Sequence, residues 1–247
     1  MSAHGLANLA RGRAKGLPAG RQGGLAVLAA MLMLAALLAA FVIAPEEAEM
    51  GDVQRIFYFH VATAWAAFLA FFLVFLGSVA YLRARALGWD VLAVSAAEIG
   101  VVFTTLTLAS GSIWARSAWG TWWTWEPRLT TTLMLWLIYV SYLLLRAMVE
   151  EPDRRAAFAA VFGIIGFVDV PIVFMSIRWW RTLHPQVVGT EGFNMEAAML
   201  PALFLSIAAF TVVFLYLLLL RTGLERPQQE MVELRRRVRW LQEGGGG

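Results

Sequence analysis

The stretch LFLSIAAFTVVFLYLLLL at positions 203–220 contains no charged residue. A helix needs about 20 mostly apolar residues to cross the hydrocarbon core of a membrane, so this stretch and the residues before it predict a transmembrane helix over 197–220. Five further apolar stretches lie at 24–44, 61–82, 91–113, 128–149 and 156–177. The sequence therefore predicts an all-α, polytopic membrane protein with six transmembrane helices.

The overall composition supports the same fold class. Of the 247 residues, 60% are hydrophobic and 15% are charged, whereas an average soluble domain is about 45–50% apolar and about 25% charged. Intrinsic disorder is excluded, because disordered chains combine low hydrophobicity with high charge. The chain contains no Cys, which excludes disulfides, thiolate metal sites and a c-type haem attachment motif of its own.

The positions of the basic residues predict the orientation, because cytoplasmic loops of membrane proteins carry an excess of Lys and Arg. If the N-terminus is cytoplasmic, most of the 20 Lys and Arg residues lie inside, and those left outside are Arg55, Arg116, Arg128, Arg178 and Arg181. We therefore expect both termini in the cytoplasm. A single membrane domain over 1–247 is expected, with a basic tail over 1–23, the helical bundle over 24–220 and a charged tail over 221–247.

The first apolar stretch has two interpretations. Basic residues precede it, as they do in a secretory signal peptide. Its apolar core exceeds the usual signal-peptide length of about 7–15 residues, however, and no clean A-x-A cleavage site follows. A retained transmembrane helix is the favoured interpretation.

Tryptophan is concentrated on the predicted outer face. Seven of the 11 Trp lie in two external connections, 114–130 and 178–185, whereas an aromatic belt would supply Trp to both interfaces. If 118–126 is helical, Trp119, Trp122 and Trp123 share one face, and Trp125 broadens it. Glu126 then lies beside the N-terminus of the fourth transmembrane helix, which begins near Pro127. The segment predicts an indole platform; an amphipathic helix that only anchors in lipid is the alternative.

Two of the three histidines, His60 and His184, lie at the outer ends of helices beside these aromatic residues. Such a pair suits a flat ligand with a central metal, because haem iron accepts imidazole ligands, while indoles can cover the apolar macrocycle. External Arg side chains can pair with the haem propionates. A closed structural zinc site is not expected from two His without Cys.

The segment WGTWWTWEPRLT at 119–130 resembles the tryptophan-rich WWD signature of haem-handling proteins in cytochrome c biogenesis. Together with His60, the segment WWRTLH at 179–184 and the six predicted helices, it makes the chain similar to the CcmC family over roughly 25–220. The family signature usually ends in Asp, whereas Glu126 stands here. Glu keeps the charge but is one methylene longer, so its contact with haem or a partner could be displaced.

The resemblance implies that haem b is bound transiently at the periplasmic side of the inner membrane. His60 and His184 are then the axial ligands of the haem iron, and the expected haem-binding side chains are Trp114, Trp119, Trp122, Trp123, Trp125, Glu126, Arg128 and Arg55. The resemblance also implies transfer of haem to the periplasmic chaperone CcmE, with the small membrane protein CcmD and the CcmAB ATP-binding-cassette transporter as partners. Membrane lipid is a further expected contact, and nucleic acid is not.

Alternative functions are open at this point. The sequence has no nucleophile–base arrangement, phosphate loop or redox thiol, so we do not expect a self-contained enzyme. WWD signatures also occur in haem lyases or synthase subunits that attach haem directly to apocytochrome c, although those carry additional transmembrane histidines. An ordinary transporter subunit with an aromatic belt is the third interpretation. Asp169 and Glu98, both within predicted helices, are candidates for either functional or structural polar contacts.

Overall fold

The fold was described from a computed structural model, which describes residues 19–189 and 192–244; side chains are described for 22–189, 192–224 and 238. The part of the predicted basic tail before residue 19, and residues 245–247 of the predicted charged tail, lie outside the described residues.

The described chain folds into α-helices joined by short connections. They are α1 (Ala19–Leu38), α2 (Arg55–Ala84), α3 (Leu87–Trp119), α4 (Pro127–Met148), α5 (Pro152–Phe167), α6 (Asp169–Trp179) and α7 (Leu200–Gly244). A π-helical turn at Ala39–Ile43 extends α1, and 3₁₀ turns at Asp52–Gln54 and Ala197–Met199 precede α2 and α7. No strand forms within the described ranges, and the all-α prediction is confirmed.

Six segments are long and apolar enough to cross a membrane, and each overlaps one predicted stretch. They are Gln22–Ile43, Asp52–Ala84, Leu87–Trp119, Pro127–Met148, Pro152–Trp179 and Ala197–Leu224. The prediction of six transmembrane helices is confirmed. The second and third segments are longer than predicted, because these helices continue beyond the apolar core into polar and aromatic residues.

The fifth membrane segment consists of two helices, α5 and α6, because the chain carries a proline at position 171. Pro171 has no N–H to donate to the carbonyl of Phe167, the last residue of α5. α6 begins at Asp169. The Asp169 carboxyl is buried, and its Oδ2 has no hydrogen-bond partner among the described residues.

The helices α2 and α3 form the centre of the bundle. They pack against each other, α2 also contacts α5 and α7, and α3 also contacts α4 and α7. At their crossing Phe71 stacks on Tyr139 of α4, with ring centroids 3.7 Å apart and planes inclined at 11°. A Cβ added to Gly100 of α3 would lie 2.6 Å from Cε1 of Phe71. Glycine at this position therefore lets α2 and α3 approach closely.

Two ion pairs join the helices away from the end at which α3 meets the tryptophan-rich segment. Asp90 of α3 and Arg146 of α4 are both buried and form two hydrogen bonds, at 2.5 and 2.8 Å. Glu98 of α3 pairs with Arg221 of α7. Glu98 thus makes a polar contact between two helices. A buried charge needs such a partner, because an isolated charge in a medium of low dielectric constant is strongly disfavoured.

The contact between Gly100 and Phe71 predicts the effect of adding one methyl group there. We expect Gly100→Ala to lower the stability of the bundle by about 1–3 kcal/mol, as overpacking usually does. Gly88→Ala on the same helix is the control, because no atom lies within 4 Å of a Cβ built at that position. Thermal unfolding in detergent compares the two variants, and equal melting temperatures would contradict the prediction.

Candidate haem-binding site

The tryptophan-rich segment is not a continuous helix. α3 ends at Trp119, and Gly120 follows with a φ of +74° and an N–H that donates to a carbonyl one turn earlier at 3.2 Å. Glycine adopts this left-handed conformation without steric cost and commonly terminates helices. Residues 120–126 then continue without helical structure to Pro127, the first residue of α4. The helix over 118–126 on which the indole platform depends does not form, because a left-handed glycine and a proline interrupt it.

The structure brings the two outer histidines together. His60 lies in the second turn of α2, and His184 lies in the connection between α6 and α7. Their ring centroids are 6.1 Å apart, and the ring planes are inclined at 44°. Residues that are distant in the sequence therefore form one pair of imidazoles at one end of the bundle.

Small residues of α3 hold the His60 ring. Nδ1 of His60 lies 3.1 Å from Oγ of Ser110, and the Ser110 hydroxyl donates to the Leu106 carbonyl at 2.7 Å. A Cβ added to Gly111 would lie 2.9 Å from Cε1 of His60. The close approach of α3 to this ring therefore depends on the absence of a side chain at position 111.

Glu126 holds the ring of His184. Oε1 of Glu126 lies 2.9 Å from Nδ1 of His184, while Oε2 accepts hydrogen bonds from the Thr182 hydroxyl and from the Leu183 N–H. Burial by itself would raise the pKa of the Glu126 carboxyl, but the hydrogen bonds from His184 and Thr182 outweigh it and hold the pKa below its ordinary value. The carboxylate is therefore ionised at neutral pH.

Two cavities meet at the histidine pair. The smaller, of about 40 Å³, lies between α2, α3 and α4. The larger, of about 280 Å³, lies between α2, α6, α7 and the connection that follows α6. Both are lined mainly by apolar side chains, and both are bordered by His60, Ala64, Phe68, Arg128 and His184. The histidine pair thus lies at the edge of an apolar space at the end of the bundle that carries the tryptophan-rich segment.

Three tryptophans surround this site. Trp114 lines the larger cavity and Trp123 lines the smaller one. The ring of Trp119 meets both Trp114 and His184 edge-on, with centroid distances of 5.0 and 5.9 Å. The indole Nε1 atoms of Trp114 and Trp123 are buried without a hydrogen-bond partner among the described residues. Buried indole N–H groups usually have a partner, so these two donors are available to a ligand.

The other two tryptophans of the segment point away from the cavities. Trp122 is 59% exposed and Trp125 is 75% exposed, and neither borders the two cavities. The predicted single platform of Trp119, Trp122 and Trp123 therefore does not form, because only a helical segment would place these side chains on one face.

Arginine side chains differ in their position relative to the cavities. Arg128, in the first turn of α4, borders both cavities and donates to the Val173 carbonyl at 3.4 Å. Arg55 borders neither; it donates to the Asp52 carboxylate and to the Ala40 carbonyl, each at 2.7 Å. The guanidinium of Arg55 is thus engaged at the start of α2, and its expected contact with haem stays a prediction.

Sequence reasoning did not assign a role to Ser110, Gly111 or Thr182, and it named Arg178 only as one of the external Arg side chains that can pair with propionates. Arg178 borders the larger cavity, and the others support the histidines. The sequence does contain a pattern that could have drawn attention to Ser110 and Gly111, because positions 110–112 read Ser-Gly-Ser within a predicted membrane helix. Small residues in such helices commonly mark close packing.

Comparisons with known proteins identify the family of the chain. The family model described as heme exporter protein C matches residues 14–242. The heme exporter protein C of Bradyrhizobium diazoefficiens is 36% identical over 216 residues, which cover 87% of this chain and 80% of that protein. The protein of the same name from Escherichia coli K12 is 32% identical, with 80% of each chain covered.

A mitochondrial protein is also similar to this chain. The putative cytochrome c biosynthesis ccmC-like mitochondrial protein of Marchantia polymorpha is 34% identical over 169 residues, which cover 68% of this chain and 72% of that protein. The family match spans nearly all of the chain, including the segments that carry His60 and His184. The chain therefore belongs to the heme exporter protein C family of cytochrome c biogenesis.

Proposed function

We propose that this chain binds haem at its outer face, with His60 and His184 as axial ligands of the iron, and passes the haem to a periplasmic chaperone. The observation that carries the proposal is the pair of imidazoles, 6.1 Å apart between centroids, at the edge of an apolar cavity. Haem is the cargo of this process, bound as haem b without covalent attachment.

The spacing of the two rings supports a shared metal. Bonds from imidazole nitrogen to a metal such as zinc are about 2.0–2.1 Å long. If both imidazoles bond the same metal ion, the distance between their ring centroids is at most the sum of the two bond lengths and of the distance from each nitrogen to its ring centre. This sum is close to the 6.1 Å between the centroids of His60 and His184. Both Nδ1 atoms are engaged by Ser110 and Glu126, which leaves the two Nε2 atoms for the iron.

The surroundings suit the rest of the haem molecule. The larger cavity has about 280 Å³ and mostly apolar walls, which match the macrocycle, and lies just below the range of about 300–1,000 Å³ for small-molecule pockets. An edge of the macrocycle left outside the cavity would be within reach of a chaperone. Arg128 and the unpartnered Nε1 groups of Trp114 and Trp123 are suitable donors for the propionates.

Transfer would occur on the outer surface, where Trp122 and Trp125 are exposed. We assign these two side chains to the contact with the haem edge or with the chaperone CcmE, while Trp119 supports His184. CcmD and CcmAB are the proposed membrane partners. The excess of basic residues in the other connections supports an inner-membrane protein with both termini in the cytoplasm and the histidine pair on the periplasmic side.

The alternative is a haem lyase or synthase subunit that attaches haem directly to apocytochrome c. The relatives are named heme exporter proteins, which favours handling and transfer of haem over catalysis. Coexpression with an apocytochrome in the absence of a haem chaperone separates the two functions, since only a lyase would produce mature cytochrome c.

Replacement of either histidine tests the proposed ligands. We expect His60→Ala and His184→Ala each to weaken haem binding by more than about tenfold, because loss of a partner behind a metal ligand alone costs about 10–100-fold. Absorption spectra of the purified proteins report the Soret band. His4→Ala, which alters the third histidine of the chain, is the control. If both site variants keep the wild-type spectrum and affinity, the bis-histidine proposal is wrong.

The packing of α3 against His60 gives a second test. Because the added Cβ of Gly111→Ala would lie 2.9 Å from the His60 ring, we expect the ring to shift and haem to bind more weakly. Overpacking costs about 1–3 kcal/mol, which corresponds to roughly 5–150-fold in affinity. Haem titration of Gly111→Ala beside Gly88→Ala measures this, and equal affinities would contradict the predicted contact.

A further inference from the structure

We propose that Glu126 is a positioning residue for His184: it fixes the ring's tautomer and makes His184 the more strongly donating of the two iron ligands. This inference rests on the proposed haem-binding function and changes the expected role of Glu126. The carboxylate acts through the imidazole and does not itself bind haem.

The hydrogen bonds of Glu126 leave no free oxygen for haem. Oε1 accepts from Nδ1 of His184 at 2.9 Å, and Oε2 accepts from both Thr182 and the Leu183 N–H. Its side chain is only 7% exposed. A negatively charged group with both oxygens engaged and little exposed surface has no means of contacting a propionate, which is itself negative.

The same contact determines which nitrogen of His184 carries the proton. An ionised carboxylate can only accept hydrogen bonds, so Nδ1 of His184 is the donor and Nε2 presents its lone pair. The backbone of the loop at 182–184 is held as well, because the His184 N–H donates to the Thr182 hydroxyl oxygen at 3.0 Å. Glu126 thereby joins the ligand loop to the N-terminus of α4.

The second histidine has a different partner. The Ser110 hydroxyl lies 3.1 Å from Nδ1 of His60 and within hydrogen-bond distance of the Leu106 and Thr107 carbonyls. Both Nδ1 atoms are thus engaged, but that of His60 faces a neutral hydroxyl and that of His184 faces a carboxylate. A carboxylate partner raises the basicity of a metal-bound imidazole. The two axial ligands are consequently unequal, and His184 stabilises ferric iron more strongly.

The Glu side chain is well matched to this geometry. Residue 126 precedes Pro127 and has extended backbone with ψ of 158°, so its side chain must reach from the start of α4 to the loop at 182–184. One carboxylate spans both the imidazole and the loop backbone. The longer side chain at this position, where the related signature usually has Asp, is therefore used to hold the ligand.

The test uses the full-length protein, loaded with haem in detergent or nanodiscs, and measures the midpoint potential of the iron and the rate of haem loss. We expect Glu126→Gln, which keeps shape but removes the charge, to raise the potential and weaken ferric haem binding about 10–100-fold. Glu126→Asp keeps the charge, and its potential should stay closer to wild type than that of the Gln variant. Ser110→Ala, at the other histidine, should shift the potential less.

The outcomes separate a positioning role from a structural one. If Glu126→Gln has the wild-type potential and haem-loss rate, or if the Gln and Asp variants are impaired equally, the proposal is overturned. If Glu126→Gln does not fold, the matched variants Glu126→Ala and Ser110→Ala decide, because each removes the partner of one Nδ1 atom; an equal or larger shift of the potential in Ser110→Ala overturns the proposal. Wild-type protein that binds no haem would instead refute the proposed function, which keeps the two failures distinct.

Discussion

Close packing of α2 against α3 is the contact on which the site depends. Their interface consists largely of small buried residues, among them Ala66, Ala67, Ala70, Ala93, Ala96 and Ala97. In a membrane, where lipid is as apolar as the helices, association relies on such close van der Waals contact. Because the helices remain close as far as Gly111, the ring of His60 is held directly against α3.

The second half of the site is held by polar contacts and not by helix packing. His184 belongs to a connection, and its position depends on the hydrogen bonds from His184, Thr182 and the Leu183 N–H to Glu126. One histidine of the pair therefore lies on α2, against α3, and the other lies on a connection held by one carboxylate.

Much of the fold followed from the sequence, since the lengths of apolar runs indicate membrane helices almost directly. The ends of the second and third spans were less well predicted, because a helix continues beyond the hydrocarbon as long as its backbone hydrogen bonds are formed. The break before Asp169 has a visible cause in Pro171. The Trp spacing at 119–125 is compatible with a helix, but Gly120 and Pro127 both oppose one, and the structure forms a loop over 120–126.

The sequence alone determined the membrane class, the number of spans, the family resemblance and the two histidines, because residue type and spacing carry that information. Only the tertiary structure decided which side chains meet. It placed Trp114 and Trp123 at the cavities and Trp122 at the surface, directed Arg55 to the Ala40 carbonyl, and joined Glu126 to His184. These contacts depend on how the helices pack and where the loops turn, and no local pattern in the chain specifies them.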